Sequence, residues 1–136
     1  MIAICDHNSA RNVAAVVRAA SGTGLSVIPG IEVTTSEEAH ILGLFPSVEA
    51  ATAMQDEVYS RLFGQNDEKV FGYQVVVDEH DMVEDLDERP PSSARPQFPP
   101  TEWWPRSTSS AAWRSLLTWI GTASGFSVNW DSFPRI

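Results

Sequence analysis

The chain is poor in several features that usually announce a protein's surroundings. It has one cysteine in 136 residues, Cys5. No internal disulfide can form, and a reducing cytoplasm is the expected compartment. Basic residues number 9 against 18 acidic ones, a formal charge of −9. That balance argues against non-specific nucleic-acid binding, which needs a cationic surface. It leaves room for a small phosphorylated ligand held through metal ions. No apolar run reaches the ~18 residues of a membrane helix. No basic segment followed by a long apolar run opens the chain, so neither a membrane partner nor a signal peptide is expected. Histidine is scarce too: His7, His40 and His80 are all there is.

What is present is unevenly spread. Sixteen of the 18 acidic residues lie in 1–89, whereas all five tryptophans follow residue 100 and seven of nine prolines lie in 90–136. We therefore divide the chain into a domain over 1–89 and a Pro/Ser/Trp-rich tail over 90–136. At this length it is one domain at most, or part of a larger one.

Within 1–89, strand and helix patterns alternate, which indicates an α/β fold. Ile2–Ile4 reads as a short strand. Asn8 or Ser9 can cap a helix whose stripe is Val13, Val16, Val17 and Ala20, ended by Gly22 and Gly24. Leu25–Ile28 reads as a second strand, Pro29-Gly30 as a turn, and 31–35 as an extended continuation. His40–Phe45 reads as a third strand buried on both faces. A helix opened by Pro46 and Ser47 carries the stripe Val48, Ala51, Met54, Val58 and Leu62 and closes at 64–67. Tyr73–Val77 reads as a strand, 78–81 as a turn, and Met82-Val83 as a short return strand. In the tail, only Trp113–Ile120 has helical character.

Three polar positions punctuate the apolar segments. Asp6-His7 at a strand end offers an imidazole ligand with a carboxylate that binds metal or orients the ring; equally, Asp6 could cap a turn beside a surface histidine. Glu32 after Pro29-Gly30-Ile31 reads as a held carboxylate or as a solvent-facing residue of an edge strand. His40 precedes an apolar strand, where satisfied histidines are common. His80 lies in an acidic turn and reads as solvated. Cys5 reads as a small buried residue, since no nearby cation favours a thiolate.

In order and spacing, IAICDH, VIPGIE and HILGLF resemble the PHP family, the polymerase and histidinol phosphatase superfamily. The stretch from Ser47 to Arg89, with YQVVVDEHDMVEDLDER, is similar to one bacterial branch of it. The resemblance implies a distorted (β/α)7 barrel, here partial, with two or three divalent ions (Mn, Zn or Fe) at its strand ends. It implies hydrolysis of a phosphorylated small molecule or nucleotide, with the metals polarising phosphoryl oxygens and activating water. By position, His7, Glu32 and His40 match metal ligands, and Asp6 matches a weak ligand or a supporting carboxylate. The family's leading His-x-His strand would lie before Met1, and its later Ala-His and Asp-x-His motifs have no counterpart after His80. A fragment that is inactive as it stands is therefore expected. A non-catalytic PHP-like scaffold or regulatory module is the alternative, and an acidic α/β interaction domain without a site is a third reading.

A change of reading frame near Pro90 is the expected cause of the altered composition. Joining the last base of each codon to the first two of the next, Trp119 and Ile120 force an Asp codon, and Leu116 to Gly121 permits Ala-His-Val-Asp-Arg. That supplies the missing Ala-His motif, and a tail in the wrong frame is expected to be largely irregular. The alternative is a genuine Trp- and Pro-rich linker and tail. Sequencing the gene checks this: the shifted frame is expected to encode Ala-His-Val-Asp-Arg opposite Leu116 to Gly121, and any other reading there refutes the shift.

Overall fold

Ile2–Ile4 forms β1 as the pattern predicts, in a computed structural model that describes residues 1–36 and 40–88. The Pro/Ser/Trp-rich tail expected over 90–136, with its helical fragment at Trp113–Ile120, lies outside the described residues. Three strands make the main sheet in the order β1-β2-β3: β2 spans Val27–Thr34 and β3 spans His40–Leu44. β1 runs parallel to β2, and β3 runs antiparallel to it. Two helices flank the sheet, α1 over Val13–Ala19 and α2 over Val48–Tyr59. Beyond a single turn of helix, α3 at Glu68–Phe71, a separate hairpin pairs β4 (Val75–Val77) with β5 (Val83–Leu86). The architecture is a mixed α/β one, and the described strands form these two small sheets without closing a barrel.

The largest departure from the sequence reading is at Pro29-Gly30. No turn forms there, and the two expected segments are one eight-residue strand, β2. Proline cannot donate to a ladder. Pro29 sits just outside the β2–β3 register, which begins at Gly30, and contributes only its carbonyl, which accepts from the Phe45 amide at 2.8 Å. Gly30 is needed for close approach. A Cβ built on it would lie 2.5 Å from Cys5 Sγ and 2.9 Å from the carbonyl oxygens of both Ile4 and Gly43. β1 and β3 thus both close on β2 at a residue without a side chain.

The core lies on one face of this sheet. Ile31, Val33 and Ile41 meet Val13 of α1 and Ala51, Met54 and Val58 of α2, with Ala10 and Phe45 completing the cluster. Each fully buried aliphatic side chain of this kind stabilises the fold by about 1.5–3 kcal/mol. β3 is not buried on both faces as expected. Ile41 and Gly43 are buried while His40 is exposed and Leu42 and Leu44 are half-buried, the alternation of a strand with one core face.

Helix ends follow partly different rules from those predicted. Ser47 caps α2 as expected, its hydroxyl accepting from the Ala50 amide at 3.3 Å. Neither Asn8 nor Ser9 caps α1. The helix begins later, at N-cap Asn12, whose side chain makes no capping bond. Asn8 instead takes a left-handed conformation, φ 53°, which asparagine adopts more readily than most residues. Asp67 caps α3, a turn that the sequence reading missed, and Gly72 (φ 75°) ends it. β5 is longer than the predicted Met82-Val83, and the 78–81 turn is held by Asp78, whose carboxylate accepts from the His80 and Met82 amides. Those bonds hold the Asp78 carboxyl below the usual carboxylate range. No helix among the described residues is long and apolar enough to cross a membrane.

Two of the three atoms facing the Gly30 position are backbone and cannot swing aside. Gly30→Ala is therefore expected to destabilise the domain by about 1–3 kcal/mol, the usual cost of overpacking, read as a lower urea midpoint with an unchanged slope.

Candidate metal centre

The site is a consequence of strand register. The pairing of β1 with β2 continues past Ile4 as an isolated bridge between His7 and Glu32. The Glu32 amide donates to the Asp6 carbonyl at 2.9 Å, and the Asn8 amide donates to the Glu32 carbonyl at 2.7 Å. Because side chains alternate along a strand, Ile31 and Val33 enter the core and Glu32 points from the opposite face. His7 is opposite Glu32 on that face. On β3, Leu42 is opposite Glu32 and His40 is opposite Thr34, so His40 is a diagonal neighbour of Glu32 and within reach of it.

Three side chains from three strand segments therefore converge. Glu32 Oε1 lies 2.7 Å from His40 Nδ1 and 3.6 Å from His7 Nδ1. The imidazole rings meet edge to face, their centroids 5.3 Å apart. Candidate ligand atoms of His7, Glu32 and His40 all lie within 4.8 Å of one another. The histidine side chains are about half exposed (47% and 48%) and Glu32 is 24% exposed. The group is thus open to ions from solvent. Contacts between groups this exposed contribute at most about 1 kcal/mol; it is the strand register that brings the three side chains together.

Comparison with protein-family models, with curated proteins and with solved structures finds no match for the chain. The donor set itself carries the chemistry. Two imidazole nitrogens and one carboxylate oxygen suit Zn, Mn or Fe, and three protein donors leave positions open for water or a ligand oxygen.

Asp6 is placed differently from the other candidates. One residue from His7, it occupies the opposite pleat position, and its Oδ2 accepts from Asn12 Nδ2 at 3.2 Å. It does not join the group of three. His80 lies exposed in the β4–β5 turn and likewise stands outside it. Asp6 and His7 do share a cleft of about 460 Å³, lined also by Ser9, Asn12, Tyr59 and Asp87.

Behind the cleft is a polar network that the sequence reading missed. Gln55 is buried on α2, and its Oε1 accepts from the Ala10 amide at 2.8 Å. Tyr59 donates its hydroxyl to Asp87 at 2.8 Å and lies 3.0 Å from Ser9 Oγ. Asn8 is buried, and its Oδ1 accepts from the Thr34 amide at 3.0 Å. This bond fixes the turn that follows His7. Gln55 had a legible signal, since it follows Met54 and lies four residues after Ala51 on the apolar stripe. Tyr59 had none, because its partners Asp87 and Ser9 are 28 and 50 residues away; the same holds for the bonds of Asn12 to β4, although its bond to Asp6 spans only six residues.

Cys5 is half-buried on the same face as His7. Burial first, then the Glu32 and Asp6 carboxylates, push its thiol up to about 11. The thiolate is the reactive form. Alkylation of native Cys5 near neutral pH is therefore expected to run on the order of 100-fold slower than in the urea-unfolded chain. Mass spectrometry of timed iodoacetamide labelling reads this, and equal rates would contradict it.

Proposed function

We propose that His7, Glu32 and His40 bind one divalent cation, and that the chain is the metal-holding part of a PHP-like phosphoesterase. The observation that carries this reading is the convergence of two imidazoles and a carboxylate at the ends of adjacent strands, with ligand atoms within 4.8 Å. A bound ion would supply Lewis-acid polarisation of a phosphoryl oxygen and a water of lowered pKa. The chain's own residues hold the ion, and the cleft beside His7 takes the rest of a phosphorylated small molecule or nucleotide. Among the described residues neither imidazole has a polar partner beyond Glu32. Metal sites without such orienting partners bind more weakly.

The packing of the sheet supports the partial (β/α)7 barrel. α1 and α2 both cover the Ile31–Val33 face. The opposite face carries Ala3, Cys5, Gly30 and Leu42 together with His7, Glu32 and His40 by register, the face that would look into a barrel. A second reading rests on the 2.7 Å bond between Glu32 and His40. It already satisfies the carboxylate, as in a non-catalytic scaffold of the same fold.

Calorimetric titration with Mn²⁺ and Zn²⁺ separates the two. Binding in the micromolar range is expected, weakened at least about tenfold by His7→Ala and by His40→Ala, since each removes one donor. Asp6→Asn is expected to leave it nearly unchanged. Absence of binding to the unaltered chain would favour the scaffold.

A further inference from the structure

The β4–β5 hairpin forms one wall of the cleft. Tyr73, Gln74, Val75, Val76 and Asp87 face the opposite wall built by residues 5–12. The hairpin is not hydrogen-bonded into the main sheet. Its attachment to the rest of the domain is almost wholly polar. Arg11 Nη2 donates to Asp85 at 2.7 Å, and its Nη1 lies 3.6 Å from Asp87. Arg18 Nε donates to Glu79 at 2.8 Å. Asn12 binds β4 at two points, donating to the Val75 carbonyl and accepting from the Val77 amide, while the same side chain amide also donates to Asp6. Tyr59 reaches Asp87. Val76 is the one buried apolar side chain of the hairpin strands, whereas Val75, Met82, Val83 and Leu86 are exposed.

Two-stranded hairpins have little stability of their own. The exposed ion pairs Arg11–Asp85 and Arg18–Glu79 are weak and screened by salt, whereas the bonds of Asp87, and that of the Val77 amide to Asn12, are part-buried. A segment fixed by so few apolar contacts belongs to the least stable part of a fold, able to open while the core stays intact. Gly72 precedes β4 at φ 75°, with open space around its Cα, and can absorb a backbone rotation there. Opening would widen the cleft beside His7 and Asp6; closure would restore the wall. We propose that β4–β5 is a flap over this cleft, latched by Arg11, Arg18 and Asn12, that opens without unfolding of the β1-β2-β3 sheet. The proposal does not depend on a bound ion.

Amide hydrogen exchange on the full chain, without metal, tests it. The Val77 amide bonds to Asn12 across the latch, and the Glu32 amide bonds to the Asp6 carbonyl where the β1–β2 pairing continues. Val77 is expected to exchange at least about tenfold faster than Glu32. Raising salt to about 1 M should accelerate Val77 further and leave Glu32 unchanged. Arg11→Gln at low salt should reproduce the effect of high salt. A common rate for the two amides, or a ratio that salt leaves unmoved, would overturn the flap. The salt arm needs no variant, so it decides the matter even where Arg11→Gln fails to fold.

Discussion

β2 is hydrogen-bonded on both sides, and the rest of the domain depends on that placement. Its alternate residues Ile31 and Val33 are fully buried beneath α1 and α2, which fixes the register of the strand. A slip by one residue would drive Glu32 into the core and expose two large aliphatic side chains. The burial of Ile31 and Val33 therefore holds the Glu32 carboxylate in place as effectively as any direct contact could. Gly30 adds a second constraint, because β1 and β3 approach it too closely for a Cβ. The strand ends that carry His7 and His40 are positioned by the same tight packing.

Around this rigid centre the bonding changes in kind. The α helices are held by apolar contact, and the β4–β5 hairpin by charge pairs and amides. Asn12 lies at the junction, bonded to Asp6 on one side and to β4 on the other. The cleft is therefore bounded by one wall tied to a dry core and another tied by polar bonds, of which those of Arg11 to Asp85 and Arg18 to Glu79 face solvent. The two walls have different responses to salt and to ligand, since water and ions compete for the second set of bonds and hardly reach the first.

Much of the secondary structure was legible in local patterns. The stripe of α2 and its Ser47 cap are local features and appear where expected. The false turn at Pro29-Gly30 shows the limit of local rules. Proline and glycine usually mark turns, yet here the glycine answers to two neighbouring strands and the proline to the end of a ladder. Asn8 was misread for a similar reason. Its side chain has the chemistry of a helix cap, but its Oδ1 accepts instead from the Thr34 amide, 26 residues away. Asp6 shared a motif with His7, and adjacent residues of an extended chain face opposite ways. That alternation is a local property of the sequence, which places Asp6 and His7 on opposite faces.

The sequence by itself determined the alternation of strand and helix, the apolar faces that must be buried, the acidic balance of charge, and the residue types able to hold a divalent ion. Those properties are local or compositional, and they require no knowledge of which segments meet. Only the tertiary structure decided that Glu32 stands between His7 and His40, that Asp6 turns to Asn12, and that Tyr59 reaches Asp87. The physical reason is register. β1 pairs parallel and β3 antiparallel with one central strand, and a shift of a single residue in either pairing would scatter the three side chains that now converge.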